Sequence, residues 1–300
     1  MKNVTNTSAS VHQRLLNRAR QDGRPFNELL QYYSMERFLY RLSLSDHAQR
    51  FVLKGALLLR AWRSPETRPT MDIDFLGRTS CEAEDIISQI RDVISTEVSP
   101  DGLAFDPDSI RAEQITGEAE YQGLRIRFRG ALGSARIAMQ VDIGFGDIVF
   151  PGNETIDLPT MLDDPPPTLL CYSKESVIAE KLQAMVKLGL LNSRMKDFYD
   201  IELLSRQYDF EGSDLAEAIR ITFKERGTQM PAHVDAFSDA FINTKQVQWK
   251  AFRKRLQRED VAVEFRDIVS AIEKFVRPIV SGLSSGKTFH EKWRAPGQWR

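Results

Sequence analysis

The sequence predicts an α+β protein with a small mixed sheet, N-terminal helices and a C-terminal helical unit. Three observations carry this. Apolar residues recur at three-to-four spacing from Val11 to Leu44, the stretch "GLRIRFRGALGSARIAMQVDIGFGD" alternates strictly, and helical periodicity returns beyond Pro165, Pro166 and Pro167. Three prolines in a row cannot sit inside a helix or a central strand, so they mark a boundary. The expected segments are 1–50, helical; 51–165, an α/β core; and 166–300, a helical domain.

From the N-terminus, Leu15, Leu16 and Ala19, then Leu29, Leu30, Tyr33, Phe38, Leu39 and Leu42, predict two helices broken near Gly23 to Pro25. "FVLKGALLLRAW" then reads as a short strand, a glycine and a helical turn, "RSPETRPT" as loop, and "MDIDFLG" as strand. Cys81 to Val98 fits an amphipathic helix with a stripe of Ile86, Ile87, Ile90, Val93 and Ile94. The alternating stretch is a hairpin. Its first arm puts Arg125, Arg127 and Arg129 on one face, and its second sets Ile137, Met139, Val141 and Ile143 opposite Arg136, Ala138, Gln140 and Asp142. The sheet therefore has one wet, charged face. Ser173 to about Arg277 is helical, and the tail from Ser281, punctuated by Gly, Ser and Pro, is expected to be irregular.

With 300 residues, 42% apolar and 28% charged, the chain has ordinary globular composition for one large domain or two modest ones. Its 41 basic and 42 acidic residues leave a net charge of −1, so bulk charge neither favours nor disfavours nucleic acid. No apolar run approaches the roughly 20 residues needed to span a bilayer, and "MKNVTNTSAS" is too polar for a secretory signal, which makes the cytoplasm the expected location. Cys81 and Cys171 lack the local pairing of a zinc site, and His12, His47, His233 and His290 are scattered. Any metal would be held by oxygens.

"RPTMDIDFLG" offers those oxygens. In a strand, Met71, Ile73 and Phe75 take one face and Asp72 and Asp74 the other, with α-carbons about 6 to 7 Å apart. The two carboxylates can converge on a hard divalent ion, or they are plain surface acids on an edge strand. Asp142, late on the polar face of "QVDIGFGD", has the same setting, with Asp147 as a substitute. If its strand lies beside the first, three acids share one surface, as in a two-metal phosphoryl-transfer site. In "SVIAEKLQAMVKLG" Lys181 shares a mostly apolar stripe with Val177, Ala184, Met185 and Leu188, so it either snorkels or reaches an anion.

The ordered stretches "RFVLKGALLLRAW", "RPTMDIDFLG", "VDIGFGD", "VIAEKLQAMVKLG" and "SRMKDFYDIELL" resemble the AbiEii-type and MenT-like toxin nucleotidyltransferases of the DNA polymerase β-like superfamily, over about Glu36 to Leu204. The resemblance implies that Asp72, Asp74 and Asp142 are metal ligands for Mg²⁺ or Mn²⁺, and that Lys181 holds nucleotide phosphates while Asp197 supports catalysis. It places Gly55 and Ala56, with the neighbouring Lys54, where the superfamily has Gly-Gly or Gly-Ser at the nucleotide. Arg68 and Thr70, on the same strand face as the acids, are expected to join the nucleotide site. It further implies an enzyme that moves a nucleoside monophosphate from an NTP to RNA, with the tRNA 3′ end as the expected acceptor. Such an enzyme would block translation as the toxin of a toxin–antitoxin or phage-defence system, opposed by an antitoxin protein. Arg125, Arg127 and Arg129 and the run Lys250, Arg253, Lys254, Arg255 and Arg258 are candidate phosphate contacts. The alternatives are a nucleotide- or partner-binding module without turnover, transfer to a protein or small molecule, and a nuclease using the same acids.

Overall fold

The computed structural model describes residues 6–62, 64, 68–115 and 123–300. Arg63, Pro65, Glu66 and Thr67 of the expected loop, and the first five residues of the polar start, lie outside them. Contacts divide the chain into two compact units, Met1–Gly146 with Glu154–Cys171, and Asp147–Asn153 with Tyr172–Arg300.

The first unit begins with helices α1, Thr7–Asp22, and α2, Phe26–Leu44. They part where predicted: Gly23, at φ +64°, caps α1 in the left-handed region, and Pro25 caps the start of α2. Helix α2 is buried almost all round, with Leu29, Tyr33, Phe38, Leu39 and Leu42 fully enclosed, so it is a core element rather than a surface amphipath. Burying its charges requires a partner. Arg41 donates to both oxygens of Asp101 at 2.6 and 3.1 Å, and Arg37 adds a third bond at 3.3 Å.

Strands β1, Phe51–Lys54; β2, Ile73–Gly77; β3, Leu103–Gln114; β4, Gly123–Leu132; β5, Ala135–Phe145; β6, Glu154–Asp157; and β7, Thr168–Cys171, complete the unit. The short helix α3, Leu57–Ala61, and helix α4, Ala83–Ser95, fall between them. Among the described residues these strands form one sheet in the order β3-β4-β5-β2-β1-β7-β6. It is mixed, as predicted, because β2 runs parallel to β5 and β1 to β7 while the other pairs are antiparallel. The alternation is realised: Leu124, Ile126, Phe128, Ile137, Met139, Val141 and Ile143 are buried. Strands β3, β6 and β7 have no clear sequence signal. In β3 the register shifts between Asp106 and Arg111, across Pro107, which erases the period of two.

In the second unit come α5, Lys174–Leu188; α6, Met195–Gln207; α7, Gly212–Glu225; α8, Asp239–Leu256; and α9, Phe265–Ser284. Helix α9 packs against α6, α7 and α8. Phe198, Phe241, Phe265 and Trp249 join there with centroids 5.0 to 6.2 Å apart in the contacting pairs. The tail departs from expectation. Strands β8, Phe210–Glu211; β9, Lys292–Arg294; and β10, Gln298–Trp299, form a second sheet, held because Trp293 and Trp299 pack on Phe275 at 4.8 and 5.6 Å. Buried aromatic area compensates for strands too short to hold themselves.

Candidate active site

Parallel pairing of β2 with β5 sets Ile73 beside Val141, Asp74 beside Asp142, and Phe75 beside Ile143. Ile73, Phe75, Val141 and Ile143 are fully buried beneath the sheet, so side-chain alternation leaves Asp74 and Asp142 together on the wet face. Asp72, Asp74 and Asp142 are all half-buried, and one carboxylate oxygen from each lies within 4.8 Å of the other two. The sequence predicted this convergence. The expected strand is two residues too long at the start, however: β2 begins at Ile73, so Met71 is 55% exposed instead of facing the core. Arg68 and Thr70 likewise precede the strand and are not on its face.

Helix α2 holds this irregular approach. The Gln31 amide donates to the carbonyls of Met71 at 3.2 Å and Ala138 at 3.1 Å, bridging the segment before β2 to β5. The Tyr32 hydroxyl accepts from the Thr70 amide at 3.0 Å and donates to the Arg68 carbonyl at 3.5 Å. Thr70 in turn donates its hydroxyl to Asp72 Oδ1. Gln31 and Tyr32 are positioning residues that sequence reasoning missed, since on a helix they read only as amphipathic decoration.

The acids are flanked by cations across the sheet. Lys54 is the antiparallel partner of Asp74, Arg125 of Asp142, and Glu113 of Arg125, so one row reads Lys54, Asp74, Asp142, Arg125, Glu113. Arg125 grips Asp142 with Nε at 2.9 Å and Nη2 at 2.7 Å, and the Gln140 amide lies 3.5 Å from the same carboxylate. That hydrogen bonding raises the Arg125 guanidinium above its ordinary value, against a small loss of hydration. The Lys54 ammonium sits 3.3 Å from where a Gly144 side chain would begin. Gly55, immediately after β1, has φ +76°, and a β-carbon there would lie 1.9 Å from Asp74 Oδ2. Only glycine fits both demands. Ala56 follows as a buried residue opening α3.

An all-oxygen, half-buried carboxylate set suits a hard divalent cation such as Mg²⁺, which prefers carboxylate and phosphate oxygens. The absent side chain at Gly55 lets the Asp74 carboxylate lie against the backbone after β1. The residues present therefore fit a Mg²⁺ or Mn²⁺ ion.

Lys181 and Asp197 lie in the second unit. The Lys181 ammonium is 2.8 Å from both Asp197 Oδ1 and Asp200 Oδ2, and Arg194 Nε is 2.7 Å from Asp197 Oδ2. Asp197 is fully buried and Asp200 nearly so, so this lysine neither snorkels into bulk water nor stands alone. Asp200 joins this cluster without having been singled out from the sequence. Asp147, weighed as a stand-in for Asp142, instead meets Arg226 at 2.8 Å, and Arg226 also holds Glu180 at 3.0 Å and Gln183 at 3.1 Å.

The arginines of β4 are not bare. Arg127 Nη1 donates to both oxygens of Glu113 at 2.7 and 2.8 Å, and Arg129 meets Asp106 at 3.0 Å. On and after α8, Arg253 donates to the carbonyls of Val261 and Glu259 and Arg258 forks onto Asp260, whereas Lys250, Lys254 and Arg255 are exposed. No helix among the described residues is long and apolar enough to cross a membrane.

A family model described as "Nucleotidyl transferase AbiEii toxin, Type IV TA system" matches residues 37–290. No curated protein matches the sequence significantly. The chain is similar to solved structures that include the following two. One is described as a candidate nucleotidyltransferase from H. pylori, with 15% identity, 87% of this chain and 98% of that chain covered, and a TM-score of 0.47. The other is JHP933 from Helicobacter pylori, with 16% identity, 83% and 93% covered, and a TM-score of 0.47.

Proposed function

Since the chain belongs to the AbiEii family of nucleotidyl transferase toxins of type IV toxin–antitoxin systems, we propose that it moves a nucleoside monophosphate from an NTP onto an RNA hydroxyl, at the tRNA 3′ end. The observation that carries this reading is the convergence of Asp72, Asp74 and Asp142 beside a glycine that leaves no space for a β-carbon. Asp72, Asp74 and Asp142 would hold Mg²⁺ or Mn²⁺, which supplies Lewis-acid stabilisation of the phosphate oxygens and lowers the pKa of an attacking hydroxyl.

The remaining roles fall to this chain's own side chains. Lys54 and Gly55 border the triad, the lysine offsetting phosphate charge and the glycine letting the Asp74 carboxylate sit against the backbone, with Ala56 offering a backbone amide. Thr70 fixes the Asp72 carboxylate through its hydroxyl, and Arg68, whose carbonyl is held by Tyr32, adds a cation near the phosphates. Lys181, fixed by Asp197 and Asp200, presents an aligned ammonium for the leaving pyrophosphate; Asp197 keeps it aligned. The exposed Lys250, Lys254 and Arg255 supply phosphate contacts to the RNA. Blocking tRNA ends would stop translation in the cytoplasm until an antitoxin intervenes.

The test is α-labelled NTP with purified tRNA, with and without Mg²⁺. Label on the 3′ end that disappears with Asp72→Ala is the expected result. Label on protein alone would overturn the RNA acceptor. RNA cleavage without any nucleotide would replace transfer by nuclease chemistry.

A further inference from the structure

Resting on the metal-site reading above, we propose that Arg125 is the resident counter-ion of the triad: it neutralises Asp142 while no cation is bound, sets how tightly a cation binds, and passes to the nucleotide phosphates when one does. The guanidinium engages both oxygens of Asp142 at 2.9 and 2.7 Å from the neighbouring strand, in the fork geometry that suits carboxylate and phosphate alike. The pair is part-buried, with Arg125 at 32% and Asp142 at 16% side-chain exposure, so it is neither freely solvated nor locked into the core.

Charge bookkeeping along the sheet explains why a counter-ion is needed. Three carboxylates with oxygens within 4.8 Å repel one another strongly unless cations flank them. Lys54 stands across from Asp74 and Arg125 across from Asp142, so each end of the acidic pair has its own cation. When Asp142 offers an oxygen to a divalent cation, the guanidinium beside it becomes a like charge. The fork then weakens, because the acid it neutralised is neutralised by something else.

Among the described residues the cross-strand carboxylate left to the released guanidinium is already engaged. Its other cross-strand neighbour, Glu113, is held at both oxygens by Arg127. Arg125 is therefore left beside the triad on the wet face of the sheet, with a planar fork suited to a polyphosphate. A purely structural ion pair would behave differently: its loss would loosen the fold and relieve repulsion of a cation, but it would not weaken nucleotide binding while cation binding tightens.

That sign difference is the test. Mn²⁺ binding to the full-length protein is measured by calorimetry for wild type, Arg125→Gln, Arg125→Lys and Asp72→Asn, with folding checked by circular dichroism. Arg125→Gln is expected to bind Mn²⁺ about tenfold more tightly than wild type, equal to about 1.4 kcal/mol. It is also expected to bind a non-hydrolysable NTP analogue, in saturating Ca²⁺, about tenfold more weakly. Arg125→Lys keeps the charge without the fork and should fall between. If Arg125→Gln does not fold, Arg125→Lys decides, since unchanged Mn²⁺ affinity in that variant overturns the proposal. Equal or weaker Mn²⁺ binding by folded Arg125→Gln, with binding still lost in Asp72→Asn, overturns the counter-ion role and leaves the metal site standing. Absence of Mn²⁺ binding in wild type and Arg125→Gln alike overturns both.

Discussion

A β-carbon on Gly55 would stand 1.9 Å from Asp74 Oδ2, closer than any real contact between such atoms. The backbone after β1 and the carboxylate of β2 are thus fitted to one another, and the positive φ of Gly55 adds a second reason for glycine. Gly55→Ala would cost roughly 1–3 kcal/mol of backbone strain and displace the Asp74 carboxylate by the overlap. Since a misplacement of about 1 Å in a reacting group can cost about 10²-fold, transfer should fall at least that far. Labelled-NTP turnover alongside a urea titration separates the two effects. Full turnover in a merely destabilised variant would show that Asp74 does not need this position.

Cation removal should leave the fold intact. The triad's three negative charges face Lys54 and Arg125 in the sheet, so the metal-free protein is already partly compensated. EDTA is expected to change the midpoint of the unit carrying the triad by a few degrees at most, while Mg²⁺ at about 100 times its Kd should stabilise it by about 2.7 kcal/mol. Asp74→Asn should lose that gain and drop transfer by about 10²-fold or more. Differential scanning calorimetry reads the stability changes and labelled-NTP turnover the loss of transfer, and unfolding in EDTA would mark the triad as a structural site instead.

Strand periodicity made the acids legible. Alternation alone put Asp74 and Asp142 on polar faces, and the structure needed only parallel pairing of β2 and β5 to join them. What alternation could not supply was register across strands, which sets Arg125 opposite Asp142 and leaves Arg127, opposite Arg111, to reach Glu113 on the diagonal. Nor could it find the clamps: Gln31 and Tyr32 act on a segment about 40 residues away through a few hydrogen bonds that leave no periodic trace. The tail was missed for a related reason. Its strands are two and three residues long and owe their existence to Trp293 and Trp299 on Phe275, a tertiary effect.

Lys181 is predicted to carry stability as well as chemistry. Its ammonium compensates two carboxylates, one fully buried and one nearly so. Lys181→Met would leave the Asp200 carboxylate without that ammonium and Asp197 with Arg194 alone, at a cost of about 3–5 kcal/mol. Lys181→Met combined with Asp197→Asn and Asp200→Asn should regain much of that loss, because the stranded charges go with the cation. Urea midpoints for the single and combined variants give the coupling directly. An unchanged midpoint in Lys181→Met, together with lost transfer, would confine the lysine to the nucleotide.

Glu36 predicts a pH dependence independent of the site. It is 3% exposed on α2, accepts a hydrogen bond from the Met161 amide at 2.7 Å, and burial pushes its carboxyl up to about 7, against that hydrogen bond and the Arg60 and Arg37 charges. A folded-state value above the unfolded one means the folded chain holds its proton longer. Below the ordinary value of 4.5 both states are protonated and Glu36 carries no penalty. Between there and about 7 the unfolded chain ionises while the folded chain does not, so stability falls as pH rises, by about 3 kcal/mol in all. Above that window the loss is complete and constant. Glu36→Gln, which cannot ionise, should therefore lose less stability than wild type between pH 5 and pH 8. Urea titrations at the two pH values measure the difference of differences, which cancels any constant cost of the buried amide. Parallel losses in the two proteins would mean that Glu36 is ionised in the folded chain throughout this range.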